Sequence, residues 1–175
     1  MKAEKILIAY FSQKGKEETS NCAKLAKKAE ELLKAKNVPF ETFAVVPVET
    51  YPADQAEFET VTKLEKERRV RPEIVGKFSE GAMKDMTGVL MIAPNWWDSL
   101  PQAMFTFMDK EDFSDTRVVP VISTREDAKH VRMEVRDFLK NWVLPGVDVK
   151  EDGSDTDEKM QEAMTQLFEQ EKHNW

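Results

Sequence analysis

Short apolar runs alternate with longer amphipathic stretches along the chain, and each pattern predicts one kind of element. The runs that predict strands are residues 6–11, 40–46, 89–93, 118–122 and the weaker 145–149. The first and third runs are continuous rather than alternating, which is typical of parallel strands buried on both faces. Pro120 is an awkward residue for a central strand, because it has no backbone N–H to donate to a neighbour.

Five amphipathic segments between and after these runs predict helices. The first has an apolar stripe made of Cys22, Leu25, Ala26, Ala29, Leu32 and Leu33. The others are residues 53–69, a helix starting near Pro101, one that opens with a capping-box pattern at residues 124–127, and one capped by Asp155. Alternation of five strands with five helices predicts an α/β fold, in which a parallel sheet carries helices on both faces.

Composition narrows the class of protein. The 175 residues are 41% hydrophobic and 34% charged, so we expect one folded domain over residues 1–175. The net charge of −7 argues against nucleic acid or an anionic membrane as a partner. One cysteine gives no disulfide framework, no run approaches the length of a membrane span, and a reducing, cytoplasmic location is expected.

The loop after the first strand is a candidate phosphate site. Ser12 and Thr19 offer hydroxyl groups, Gly15 permits close backbone approach, and Lys14 and Lys16 add positive charge. The following helix N-terminus also favours an anion. An ordinary strand-to-helix turn is the alternative, since the glycine patterns of dinucleotide and Walker loops are both absent.

Two further loops follow the third and fourth predicted strands. The first contains Pro94, Asn95, Trp96 and Trp97, and the second is Ser123-Thr124-Arg125. Ligands of doubly wound sheets bind beyond the carboxyl ends of the strands, so these loops are expected to meet the first one. Adjacent indoles cannot both enter one core, and an indole face stacks well on a flat heteroaromatic ring. Alternatively, one indole packs under a helix while the other shields the surface.

These residues resemble the flavodoxin family. The match lies in residues 8–12 with the polar turn after them, in residues 94–101, and in Val119-Pro120, and it covers roughly residues 4–125. The Asn-Trp-Trp segment resembles the flavin loop of short flavodoxin-like proteins. The resemblance implies a three-layer sandwich with strand order 2-1-3-4-5. It also implies FMN held without a covalent bond, its phosphate in the loop from Ser12 to Thr19, and its ring between the other two loops.

The function implied is electron transfer, or flavin-dependent reduction of a small acceptor such as a quinone. The partner is then a redox protein or that small molecule, and a homodimer is compatible with the sequence. Glu17, Glu18 and a fourth-strand loop without glycine depart from the family pattern. They motivate the alternative of a binding or regulatory module that has lost flavin. A hydrolase or transferase is a weaker option, because no nucleophile–base pair is visible.

Two further residue types, cysteine and histidine, could carry chemistry. Cys22 lies on the apolar stripe, which predicts a core thiol rather than a nucleophile. His130 and His173 are far apart and lack metal-ligand spacing, so no metal site is predicted.

Overall fold

The computed structural model describes residues 3–13, 19–78 and 81–169. The strands within these ranges are β1 Ile6–Phe11, β2 Phe40–Val45, β3 Gly88–Pro94, β4 Arg117–Thr124 and β5 Val147–Lys150. The α-helices are α1 Asn21–Ala35, α2 Gln55–Arg68, α3 Gln102–Lys110, α4 Lys129–Leu139 and α5 Thr156–Glu169. A short 3₁₀ helix, Ala82–Asp85, precedes β3.

The strands form one parallel sheet in the order β2-β1-β3-β4-β5. The predicted α/β class and the strand order 2-1-3-4-5 are both confirmed. Because β1 lies between β2 and β3, the chain crosses the sheet in one direction from β1 to β2 and in the opposite direction from β3 to β5. The loops after β1 and β3 therefore diverge onto opposite faces and leave a crevice at the carboxyl edge.

Side chains of β1 and β3 alternate between two separate apolar layers, and both layers exclude water. Leu7 and Met91 pack with residues of α3 and α4, whereas Ile8 and Leu90 pack with residues of α1 and α5. All four side chains are fully buried. This arrangement explains why the two strands are continuously apolar, since a strand covered on both faces has no solvent side.

Pro120 is accommodated by a gap in the pairing between β4 and β5. Leu144 N donates to Val118 O at 2.8 Å, and regular pairing with β5 begins only at Val121. Gly146 lies opposite Pro120 with a φ of 77°, and a Cβ at that position would be 2.2 Å from the Pro120 carbonyl oxygen. Pro120 cannot donate a backbone hydrogen bond to the neighbouring chain segment. Gly146 faces Pro120 there, because only a residue without a Cβ can approach the Pro120 carbonyl group so closely.

The helix start predicted at Thr124 is wrong. Thr124 is the last residue of β4, where it pairs with Lys150, and α4 begins only at Lys129. The Thr124 hydroxyl accepts from Glu126 N at 3.3 Å, so it closes a turn instead of capping a helix. The Asp155 carboxylate accepts from Lys150 N at 2.9 Å and closes the turn between β5 and α5.

None of the helices in the described part of the chain is both long enough and apolar enough to cross a membrane.

Candidate functional site

The loops after β1, β3 and β4 meet at the carboxyl edge of the sheet, where several cavities adjoin and two of them are lined by Trp96. The larger cavity, of about 400 Å³, is lined by Gln55, Phe58, Glu59, Thr62, Asn95, Trp96, Trp97, Asp98, Thr124, Arg125, Glu126 and Glu151. The smaller cavity, of about 210 Å³, is lined by Phe11, Ser12, Gln13, Ser20, Asn21, Cys22, Pro94, Trp96, Ser123 and Glu151. Trp96 and Glu151 line both cavities, so the two adjoin at these residues.

The smaller cavity lies where β1 ends and α1 begins. Ser12 is buried there, and its N–H donates to Val45 O at 3.0 Å. Ser20 caps α1 by accepting from Ala23 N at 3.1 Å. The N-terminus of α1 therefore borders this cavity and places the positive end of the helix dipole beside it.

The remaining residues of the predicted phosphate loop are less fully placed. Lys14, Gly15 and Lys16 lie outside the described residues, as do Glu17 and Glu18. Thr19 is exposed at the turn before α1. Ser12 and Thr19 are thus the two proposed phosphate-binding residues of this loop for which the structure gives a position.

Cys22 is a buried thiol at the start of α1. Its side chain belongs to the apolar layer formed with α5, and desolvation raises its pKa to about 12. The thiol therefore stays protonated at neutral pH, which fits a core residue and not a nucleophile.

Trp96 is held edge-on by three aromatic rings from different parts of the chain. Its ring centroid is 4.9 Å from Phe11, 5.1 Å from Phe58 and 5.6 Å from Tyr51. Edge-to-face pairs at these distances each contribute roughly 0.5–1.5 kcal/mol beyond area burial. The cluster fixes the Trp96 ring between β1 and α2, while part of that ring still lines both cavities.

Trp97 lies against α2 and is 40% exposed. Its indole Nε1 donates to Thr62 Oγ1 at 3.0 Å, and Lys63 Nζ lies 5.7 Å from its ring centroid. Lys66 Nζ donates to the Trp97 carbonyl oxygen. Both indoles therefore contact α2, and both line the larger cavity. Each one packs against the protein and also offers surface to a ligand.

The turn that carries the indoles has an uncommon backbone. Trp97 and Asp98 have φ values of 60° and 59°, in the left-handed region that favours glycine. Left-handed geometry costs an L-residue roughly 1–2 kcal/mol. Trp96 N donates to Ser99 O at 2.9 Å, so residues 96–99 form one tight turn, called here the 96–99 turn.

Asn95 joins the β3 loop to the β4 loop. Its backbone N–H donates to Ser123 O at 3.1 Å, and its Nδ2 donates to Thr124 Oγ1 at 3.2 Å. Asn95 Oδ1 is buried and has no hydrogen-bond partner among the residues that the structure describes. Buried acceptors are almost always paired in folded proteins, so an N–H or O–H donor belongs at this position.

Arg125 pairs with Glu151 and lines the larger cavity together with the two indoles. The two side chains form an ion pair, with Arg125 Nε 2.8 Å from Glu151 Oε2, at the mouth of the cavities. The Arg125 side chain is largely exposed, so the pair contributes at most about 1 kcal/mol.

The sequence did not identify the contributions of α2 and of Glu151 to the site. Gln55, Phe58, Glu59 and Thr62 come from a helix whose pattern is that of a solvated surface. Glu151 follows a weak strand at the other side of the site. No local motif marks these residues, because only the topology brings them beside Trp96 and Trp97.

Comparison with known proteins identifies the family of this chain. The sequence of residues 5–169 matches the family model for Flavodoxin. The chain belongs to the flavodoxin family. None of the curated proteins matches this flavodoxin-family protein.

Solved structures share the fold of this flavodoxin-family protein at low identity. A protein described as a flavoprotein from Bacteroides uniformis is 22% identical, with a TM-score of 0.70 over 93% of this chain and 99% of that chain. A flavoprotein in complex with FMN from Lactobacillus acidophilus is 18% identical, with a TM-score of 0.64 over 90% and 99%. The NAD(P)H:quinone oxidoreductase of Methanothermobacter marburgensis is 14% identical, with a TM-score of 0.57 over 99% and 100%.

Proposed function

We propose that this flavodoxin-family protein binds FMN without a covalent bond and uses it in redox chemistry. Its role is electron transfer, or reduction of a small acceptor such as a quinone. The observation that carries the proposal is the pair of adjoining cavities. One borders a helix N-terminus, and the other is lined by two indoles at the point where the strand order reverses.

The residues present fit FMN in size and in polarity. The cavities together have the volume of a small-molecule site, for which roughly 300–1,000 Å³ is usual. Ser12 and the α1 N-terminus suit a phosphate, while Trp96 and Trp97 offer aromatic surface to a flat ring. The unpaired Asn95 Oδ1 offers an acceptor to a ring N–H group. Lys14, Gly15, Lys16 and Thr19 remain the proposed partners of the phosphate.

Bound FMN would supply the electron-accepting ring, and the protein would tune it. Trp96 and Trp97 would exclude water from one part of the ring, with Ser123 and Thr124 beside them. Four carboxylates line the larger cavity, at Glu59, Asp98, Glu126 and Glu151. Negative charge there raises the free energy of an anionic reduced flavin, so a low reduction potential is expected.

Titration of FMN into Trp97→Ala tests the proposal. Trp97 is the better target because Trp96 also holds an aromatic cluster together. Loss of stacking should weaken FMN binding roughly tenfold, measured by quenching of flavin fluorescence. Trp142→Phe is the matched control, since Trp142 belongs to the layer on the opposite side from these indoles. Equal FMN affinity in both variants and in the parent protein would remove the proposed ring site.

A second candidate function is a binding or regulatory module without flavin. Among the described residues, no lysine or arginine lines the smaller cavity, and Glu151 does line it. A carboxylate there disfavours a phosphate dianion. This candidate predicts a colourless protein that fails to quench FMN even at millimolar concentration, whereas the first predicts a yellow protein or micromolar quenching.

A further inference from the structure

The 96–99 turn needs an external support. Trp97 and Asp98 both have positive φ, and neither is a glycine. Strained backbone of this kind persists only where surrounding groups determine it. On one side the support is α2, through Thr62 and Lys66.

The other support is Glu134, a residue of α4. Its Oε2 accepts from Ser99 Oγ at 3.0 Å, and its Oε1 accepts from Leu100 N at 2.9 Å. Ser99 and Leu100 are 2% and 1% exposed, so their polar groups depend on a protein partner. Both carboxylate oxygens of Glu134 are thus committed to the end of the 96–99 turn.

Glu134 is connected to Trp96 by a short path. The carboxylate fixes Ser99, and the Ser99 carbonyl oxygen accepts from Trp96 N at 2.9 Å. We propose that Glu134 is a positioning residue that fixes the 96–99 turn and thereby the two indoles of the larger cavity. The link to flavin rests on the proposed function, whereas the link to the indoles does not.

The charged groups around Glu134 come from three elements. His130 lies on the same helix, Lys66 reaches over from α2, and Asp98 lies in the turn itself. Burial raises the pKa of Glu134, and its two hydrogen bonds and the charges of His130 and Lys66 offset this only in part. The buried carboxyl therefore takes up a proton more readily than a released one, so the turn is held more firmly as pH falls through that pKa.

The experiment compares Glu134→Ala and Glu134→Gln. Asp137→Ala is the control on the same helix, at an exposed position. All are made in a background with Trp142→Phe and Trp175→Phe, which leaves Trp96 and Trp97 as the indoles of the chain. Near-ultraviolet circular dichroism without flavin reports the environments of Trp96 and Trp97 together, and titrations with FMN and with riboflavin report the site. Riboflavin carries no phosphate, so its pH profile is free of phosphate ionisation.

Glu134→Ala should show a weaker indole dichroism signal than Asp137→Ala and bind FMN at least about tenfold more weakly, as expected for losing hydrogen bonds to a charged acceptor. Glu134→Gln should keep both, because an amide can still accept from Leu100 N. The background protein should gain indole signal and riboflavin affinity as pH falls from neutral towards 4.5, the ordinary glutamate pKa, and Glu134→Gln should not. His130→Gln should retain this pH dependence.

The proposal is overturned if Glu134→Ala matches Asp137→Ala in indole dichroism. It is also overturned if the pH dependence disappears in His130→Gln but persists in Glu134→Gln. Should the parent protein bind no flavin, the proposed function fails, and the dichroism measurements alone decide the role of Glu134. Should Glu134→Ala fail to fold, Ser99→Ala replaces it, with a smaller loss of indole signal as the supporting result and an unchanged signal as the contrary one.

Discussion

At the scale of single residues, the backbone conformations that a residue can adopt determine how β4 and β5 approach each other. Gly146 occupies a left-handed conformation directly against the Pro120 carbonyl group. Gly76 also has a positive φ, of 67°, but a Cβ there would meet nothing within 4 Å. Replacing Gly76 would therefore cost only the free energy of a positive φ in an L-residue. Replacing Gly146 would add the free energy of a steric clash with Pro120.

Gly146→Ala should destabilise the fold far more than Gly76→Ala. The second change carries only the conformational cost, about 1 kcal/mol, whereas the first adds a clash with backbone and should exceed about 3 kcal/mol. Urea denaturation of the two variants measures the difference in free energy of unfolding. Similar losses at both positions would show that β4 and β5 can separate there without cost.

At the scale of elements, α2 is fixed to the molecule differently from the other helices. Thr62 is the one buried residue among the 14 described residues of α2, and Leu64 is 38% exposed. Beside the larger cavity, α2 is held by polar and aromatic contacts to Trp96 and Trp97. An element with so little buried apolar surface opens at low free energy.

Hydrogen exchange should therefore be faster in α2 than in α1, which buries six residues in a helix of similar length. If FMN binds as proposed, it should slow exchange in α2, because α2 lines the larger cavity, while the middle of α1 stays unchanged. Mass spectrometry of peptides from each helix measures both effects. Equal protection of the two helices without ligand would contradict this account of α2.

The same scale shows which elements the sequence predicts well. A continuous apolar run predicts β1, and a periodic apolar stripe predicts α1. Both predictions succeed because the burial of each element is visible in its own stretch of sequence. The start of α4 was predicted wrongly at Thr124, since pairing with Lys150 prevails over a local capping pattern. Glu151 and Glu134 escaped prediction because their roles depend on contacts between distant elements. The loops after β1, β3 and β4 lie at one edge of the sheet because the carboxyl ends of neighbouring parallel strands meet, while the binding role of their residues stays a prediction.

At the scale of the whole molecule, the net negative charge and the buried carboxyl groups both favour proton binding by the folded state. The net charge is −7, and burial is the main cause that raises the pKa values of Glu65, Glu111 and Glu134. The folded state binds protons more readily than the unfolded state at these three sites. Stability should therefore rise as pH falls from neutral through the raised pKa values, down to the ordinary value of 4.5.

Urea denaturation at about pH 7.5 and about pH 5.5 measures this, with a higher free energy of unfolding expected at the lower pH. Glu134→Gln should reduce the difference, because it removes one of the three groups. Below the ordinary aspartate value of 3.8 the trend should reverse, since hydrogen bonds from Ser114 and Ser154 lower the pKa values of Asp112 and Asp152. Stability that is unchanged or lower at about pH 5.5 would contradict this assignment.

The burial of Cys22 has a practical consequence for the behaviour of the protein in air. The chain has one cysteine, and its sulfur is both shielded and protonated in the folded state. Two folded copies therefore have no exposed sulfur with which to form a covalent dimer during storage. Cys22 also lines the smaller cavity, so a thiol-specific reagent reaches the sulfur either through that cavity or after local opening of α1. A ligand that fills the smaller cavity should therefore slow the labelling of Cys22.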